Sequence, residues 1–112
     1  MHLSYDIEVI QGSTLLLNIN LKDTNDNYID LNGYSVRGYV RSNYSSSGIL
    51  LNLQPQVHPS FISGLITLSG SQDDTATMPC GTWVYDIECS GSDNYVFKPL
   101  RGYFLVEPES TR

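Results

Sequence analysis

One nine-residue stretch near the C-terminal end of the chain limits the possible folds more than any other. In residues 82–90, two sets of side chains alternate: Trp83, Tyr85, Ile87 and Cys89 on one side of an extended chain, and Val84, Asp86 and Glu88 on the other. A period of two is typical of a β-strand with one buried face. Because large aromatic rings carry much of the apolar area of a core, Trp83 is predicted to point inward and the strand to lie at the centre of the fold.

Six further stretches predict the other strands. They are residues 4–10, 14–23, 35–42, 49–53, 64–70 and 95–107. Residues 56–63 are predicted to be irregular, and Ser71 is predicted to cap one helical turn with Asp74 three residues on. About seven short strands with turns every 8–12 residues or so predict an all-β fold, an antiparallel immunoglobulin-like β-sandwich. The length of the chain, 112 residues, predicts a single domain over residues 1–112.

Charge and cysteine spacing limit the partners and the covalent chemistry. The formal net charge of -6 argues against nucleic acid as a partner, because phosphate contacts need a cationic face. No apolar run approaches the roughly 18 residues of a membrane-spanning helix, so no membrane partner is expected. Cys80 and Cys89 are separated by a predicted strand of roughly 25–30 Å, too far for a disulfide. Both are predicted to be small apolar fillers.

A polar turn is the segment that comes nearest to a metal-binding motif. Asp23, Asn25 and Asn27 match the first, third and fifth positions of a calcium loop. Tyr28 and Tyr34 stand where that loop has its Gly and its Glu. The Asp and Asn side chains are therefore expected to cap their own turn. Since the sequence also lacks a nucleophile elbow and a phosphate loop, no enzyme activity, cofactor or metal is expected.

Arginine and tyrosine side chains on two predicted strands form the candidate interface. Arg37, Tyr39 and Arg41 share the outer face of one strand, and Arg101 and Tyr103 share the outer face of another. Tyrosine and arginine are enriched at protein interfaces because each gives a large contact area together with hydrogen bonds. The alternative is ordinary surface decoration, since aromatic residues also favour strands.

A series of short motifs carries a resemblance to a known group of proteins. In chain order they are Gln11-Gly12, Leu21-Lys22-Asp23, residues 29–34, residues 64–68, Pro79-Cys80-Gly81, residues 85–88, Gly102 and residues 106–109. In order and spacing they resemble small structural proteins of tailed bacteriophages, especially cyanophages. The chain is also similar to the immunoglobulin-like N-terminal domain of upper baseplate proteins, without their fused receptor-binding or coiled-coil part.

The resemblance implies a non-enzymatic virion structural protein, present in the virion and assembled in the cytoplasm of the bacterial host. It favours a tail or baseplate adaptor that acts by protein–protein docking. The implied partners are other virion structural proteins, with copies of this chain forming a homo-oligomer in a symmetric assembly. A capsid decoration protein is an alternative. An alternative of another class is a carbohydrate-binding module, for which Tyr39, Tyr44, Tyr95 and Tyr103 are candidate platforms.

Overall fold

The strands and the helix are described here from a computed structural model, which covers residues 3–23, 25–58, 64–91 and 95–109. In chain order the elements are β1 Leu3–Ser4, β2 Ile7–Ile10, β3 Leu15–Asn20, β4 Ser35–Arg41, β5 Leu51–Asn52, β6 Gln56–Val57, β7 Leu65–Gly70, α1 Gln72–Ala76, β8 Gly81–Ser90 and β9 Val96–Glu107. Within these ranges, no helix is long and apolar enough to cross a membrane.

The strands form two sheets that pack face to face. The larger sheet has the order β1-β9-β8-β4-β5, with β2 also paired to β9, and the smaller sheet has the order β3-β7-β6. The smaller sheet corresponds to strands B, E and D of an immunoglobulin domain, and β4, β8 and β9 correspond to C, F and G. The prediction of an all-β, immunoglobulin-like sandwich is therefore confirmed.

The predicted central strand is the middle of the larger sheet. Strand β8 pairs with β4 on one side and with β9 on the other. Its Tyr85 and Ile87 meet Phe104 of β9 and Ile66 and Leu68 of β7 in the core, and each of these side chains is at most 1% exposed. Burying one such side chain contributes about 1.5–3 kcal/mol to the free energy of folding. The sandwich therefore depends on contacts that β8 makes at its centre.

Trp83 does not occupy the core position predicted for it. Its side chain is half-buried and packs against the rim of the core, and its indole N–H donates to the Pro79 carbonyl over 2.9 Å. Tyr85, two residues further along β8 on the same face, lies deeper between the sheets. The largest aromatic side chain of the core is therefore Tyr85, which packs edge-on against Phe104 with ring centroids 6.5 Å apart.

Several local predictions can be compared directly with the structure. The Ser71 side chain accepts the Asp74 N–H over 3.1 Å and begins α1, as predicted. The prediction of an irregular segment over 56–63 missed β6, a two-residue strand that pairs antiparallel with β7, and residues 59–63 of that prediction lie outside the described residues.

The first strands depart from a wholly antiparallel arrangement. Strands β1 and β2 both run parallel to β9. The predicted continuous strand over 4–10 is interrupted because the chain is held between them by side-chain and backbone bonds. The Tyr5 N–H donates to the Arg101 carbonyl over 3.1 Å, and the Asp6 carboxylate accepts the Tyr103 N–H over 3.0 Å.

The contact between the N-terminal segment and β9 also depends on a glycine and a buried phenol. A Cβ at Gly102 would lie 2.1 Å from the Tyr5 carbonyl oxygen, so no other residue fits there without moving the backbone. The Tyr85 hydroxyl donates to that same carbonyl oxygen. Burial, followed by the nearby Asp6 carboxylate, raises the pKa of Tyr85, which keeps the phenol protonated as a donor.

We expect Gly102→Ala to lower the free energy of unfolding by about 3 kcal/mol or more, because the added methyl group collides with backbone rather than with a flexible side chain. Urea unfolding measures the loss. Gly48→Ala is the matched control, since a Cβ there would meet only Ser46 Oγ at 3.8 Å. Equal unfolding midpoints for the two variants would contradict the close packing of the N-terminal segment on β9.

We expect Phe104→Ala to destabilise the chain by about 3–5 kcal/mol, as for other fully buried aromatic residues. Trp83→Ala should cost about half as much, because water already covers part of the indole. Denaturant unfolding of both variants checks the order. A larger loss at Trp83 than at Phe104 would place the indole in the core after all.

Candidate functional site

The five predicted interface residues lie on one side of one sheet. Strands β4 and β9 flank β8, so the two predicted sets form a continuous surface across its outward side. We call this surface the docking face. Its members are Arg37, Tyr39, Arg41, Tyr44, Val84, Asp86, Glu88, Lys98, Arg101 and Tyr103.

The docking face concentrates the positive charge of an acidic chain. It carries Arg37, Arg41, Lys98 and Arg101, four of the six Lys and Arg residues in the sequence. Its two carboxylates leave a local formal charge of +2, whereas the whole chain has -6. Because exposed charges interact strongly only within about 8 Å at physiological salt, a partner at this face meets the local charge rather than the net charge.

Ion pairs hold part of this surface in place. Arg37 pairs with Glu88, and Lys98 lies 3.6 Å from Asp86 and 4.0 Å from Glu88. The side chains of these pairs remain partly exposed, so each pair contributes about 0–1 kcal/mol to stability. Their effect is on order: each carboxylate on β8 fixes the direction of a cation on a neighbouring strand.

The other two arginines stack on tyrosine rings. The Arg101 guanidinium carbon lies 3.9 Å from the centroid of the Tyr44 ring, and that of Arg41 lies 5.3 Å from the Tyr39 ring. Such cation–π contacts contribute about 0.5–1 kcal/mol at exposed sites. The stacks orient two planar guanidinium groups. Among the described residues, Arg41 Nε is buried without a hydrogen-bond partner.

Val84 was predicted to face solvent, but it is only 9% exposed. It lies in register between Arg41 and Tyr103 on the neighbouring strands. The Tyr44 hydroxyl donates to the Gly102 carbonyl over 3.3 Å, so the Tyr44 side chain reaches from the loop after β4 to β9. Strand β8 lies between those two strands, and the crossing side chain therefore shields its outward side.

Two members of the docking face lie where strand alternation did not predict an outward side chain. Tyr44 lies in a serine-rich loop with no periodic signal. Lys98 is two residues before inward-facing Leu100, so in a regular strand its side chain would also point inward. A register shift opposite Ile87 and Cys89 turns it outward, and Pro99 was the one local sign of that irregularity.

The docking face is shallow. A depression of about 220 Å³ lies among its arginines, tyrosines and carboxylates. Small-molecule sites are usually concave and enclose about 300–1,000 Å³. A shallow surface with oriented arginines and tyrosines is better suited to contact with another macromolecule than to enclosing a small ligand.

The four tyrosines named as carbohydrate platforms do not form one flat surface. Arginine guanidinium groups cover the Tyr39 and Tyr44 rings. Tyr95 and Tyr103 are more than half exposed, but they are eight positions apart along an extended segment, roughly 25 Å. Tyr95 instead packs against Phe97, with ring centroids 5.6 Å apart.

The polar turn that resembles a calcium loop is closed by its own hydrogen bonds. Asp23 Oδ1 accepts the Asn25 N–H over 2.9 Å and the Asn27 N–H over 3.0 Å. The prediction that the turn is capped by its own side chains is confirmed for Asp23. Across the described ranges, no three His, Cys, Asp or Glu side chains are grouped so that they could hold a metal ion.

The two cysteines have different surroundings. Both are free thiols, as predicted, but Cys89 is buried and Cys80 is exposed. The prediction that Cys80 fills apolar space is therefore wrong, because the turn that leads into β8 leaves it in solvent. Burial, followed by the charge of Glu88, raises the pKa of Cys89 to about 12. Its thiol stays protonated and unreactive at neutral pH.

Comparisons with known proteins show that the fold of this chain is similar to that of solved structures. No protein-family model matches the chain, and no curated protein matches it. The chain is similar to CopC from Methylosinus trichosporium OB3b, with a TM-score of 0.53 at 12% identity over 96% of this chain and 88% of that one. This likeness supports the two-sheet fold alone.

Two further solved structures are less similar. A PKD domain from the KIAA 1837 protein has a TM-score of 0.37 at 14% identity, over 96% of this chain and 84% of that one. A family 123 glycoside hydrolase from Clostridium perfringens has a TM-score of 0.39 at 13% identity, over 95% of this chain and 23% of that one.

We expect a thiol reagent at pH 8 to label one cysteine of the folded chain and two in denaturant. Cys80→Ser should abolish labelling of the folded chain, because the remaining Cys89 is both buried and protonated. Cys89→Ala should leave the rate of Cys80 labelling unchanged. Rapid labelling of Cys89 in the folded Cys80→Ser variant would contradict this assignment.

Proposed function

We propose that the chain is a non-enzymatic structural component of a tailed-phage virion, a tail or baseplate adaptor that acts by protein–protein docking. Two independent lines support this proposal: the order of motifs that resembles phage structural proteins, and the character of the docking face. The observation that carries it is the concentration of four cations and three tyrosines on one shallow sheet surface.

Docking through a sheet surface is physically favourable because the backbone is already ordered. The guanidinium groups of Arg41 and Arg101 are stacked before any partner arrives. Fewer side chains therefore lose rotamer freedom on binding, at about 0.5–1.5 kcal/mol for each one that is ordered in advance. The exposed ring of Tyr103 adds apolar contact area together with a hydroxyl group.

The charge pattern selects the class of partner. A local excess of cations attracts an acidic protein surface, accelerates encounter and repels other cationic faces. Other virion structural proteins with acidic patches, and further copies of this chain in a symmetric assembly, fit this description. The chain itself is acidic outside the docking face, so a head-to-tail contact between copies also fits.

A capsid decoration protein would use the same surface. The two locations differ in which particle substructure holds the chain, and a labelled copy seen by electron microscopy of the particles distinguishes them. Mass spectrometry of purified virions tests the shared premise. Virions in which the chain is absent would contradict the proposal at either location.

We expect Arg101→Glu to reduce incorporation of the chain into particles at least tenfold. The change removes a stacked cation from the docking face and puts a carboxylate opposite the acidic partner. Arg37→Glu should act in the same direction. Quantitative mass spectrometry of particles assembled with each variant gives the ratio, and thermal unfolding confirms that each variant folds.

Lys22→Glu is the matched control for these charge reversals. It makes the same change in net charge at a cation outside the docking face, where Lys22 pairs with Asp26 at 3.3 Å. Its incorporation should stay within about twofold of the unmodified chain. Equal losses for Lys22→Glu and Arg101→Glu would show that net charge matters and the docking face does not.

A further inference from the structure

A groove lies between the two sheets along one side of the sandwich. It runs between β2 of the larger sheet and β3 of the smaller one and has a volume of about 470 Å³. Buried Val9 and Leu15 form part of its lining, while Ile10 and Leu16 are 51% and 71% exposed. The smaller sheet has three strands against five positions in the larger one, so it leaves this side uncovered.

Some backbone N–H and C=O groups of β3 face the open side of the sandwich. In β7 the Ser69 N–H donates away from β3, to the Leu53 carbonyl over 2.8 Å. Ser69 is the partner of Leu16 in register, and bonded and non-bonded pairs alternate in an antiparallel ladder. The backbone groups of Leu16 and Asn18 therefore face outward, and no hydrogen bond satisfies them within the part of the chain that the structure describes.

Strand β3 lacks the features that usually protect an edge. Its six residues, Leu-Leu-Leu-Asn-Ile-Asn, contain no charge and no proline, and its pairing with β7 has no bulge. The other edges are shorter or interrupted: β5 and β6 have two residues each and are separated by Pro55, and β2 carries Glu8. A long, uncharged edge is a template for pairing with another strand.

The charge of the groove identifies the kind of strand that fits. Three acidic residues, Asp6, Glu8 and Glu107, are among those that line it, and no Lys, Arg or His is; we call these three the acidic rim. A second copy of the chain would bring the same acidic rim against this one. Every strand of the described residues already belongs to a sheet of its own sandwich, so a copy could pair here only edge to edge, through its own β3.

We propose that the β3 edge accepts an extended segment of another protein as an added antiparallel strand. Apolar side chains on one face of that segment fill the groove between the sheets, and lysine or arginine side chains on its other face favour its approach to the acidic rim. Backbone bonds to Leu16 and Asn18 supply the pairing, as in other cases of strand addition. This proposal is independent of the docking face and of a location in a virion.

The probe is a capped eight-residue peptide of alternating valine and lysine. Titration followed by backbone NMR should shift the Leu16 and Asn18 amide signals and slow their hydrogen exchange. A peptide with glutamate in place of lysine should bind at least tenfold more weakly, because it adds negative charge to an edge that already carries Asp6, Glu8 and Glu107. Absence of binding by the lysine peptide at millimolar concentration would overturn the proposal.

Asn18→Pro and Asn18→Ala form a matched pair. Both remove the side-chain amide, whose oxygen accepts from Thr67 Oγ1 over 2.7 Å, but only proline removes the outward N–H. The ladder to β7 does not use that N–H, so both variants should fold, with similar thermal unfolding. Asn18→Pro should weaken peptide binding at least tenfold, and Asn18→Ala should leave it within about twofold.

Equal peptide affinity in the two variants would mean that the lysine peptide binds by charge alone and would overturn the proposal. Analytical ultracentrifugation tests whether a second copy of the chain occupies the β3 edge instead. A dimer that Asn18→Pro dissociates and Asn18→Ala preserves would assign the β3 edge to a second copy and would also overturn it. Peptide binding through β3, with an oligomeric state that is the same in Asn18→Pro and Asn18→Ala, is the expected result.

Discussion

The position of the first strands depends on one carbonyl group. The Tyr5 carbonyl oxygen lies against Gly102 and accepts the buried Tyr85 hydroxyl, while the Tyr5 N–H is bonded to β9. These contacts attach the N-terminal segment to the larger sheet in a parallel arrangement. Because a buried phenol without an acceptor is costly, the Tyr85 hydroxyl and the Tyr5 carbonyl must stay together for the core to close.

This attachment has a consequence on each sheet. On the larger sheet, β9 becomes an interior strand, so Arg101 and Tyr103 lie well inside a broad surface instead of at its margin. On the smaller sheet, the N-terminal segment is not available to pair with β3, whose backbone remains open. One set of local contacts thus produces both a wide charged face and an unprotected edge.

Sequence patterns predicted the features that depend on residues close together in the chain. The features that depend on contacts between distant segments could not be predicted in this way. The alternation around Tyr85 predicted a central strand, and the spacing of Ser71 and Asp74 predicted the helix cap. The depth of Trp83 and Val84 depends on side chains from β4, its following loop and β9, which alternation does not encode. Placing Arg37 and Arg101 on one face required the strand order, and the outward turn of Lys98 required a register shift.

The docking face and the β3 edge would recognise partners through different physics. The face offers side chains, so its affinity should fall when a single charge is reversed and should depend on salt. The edge offers backbone groups, so it constrains the conformation of its partner more than the sequence, with the acidic rim supplying a weaker preference. A chain with both surfaces, on different sides of one rigid sandwich, can hold two unlike neighbours at a fixed angle. Such an arrangement requires no change of shape, because each partner meets groups that the fold has already ordered.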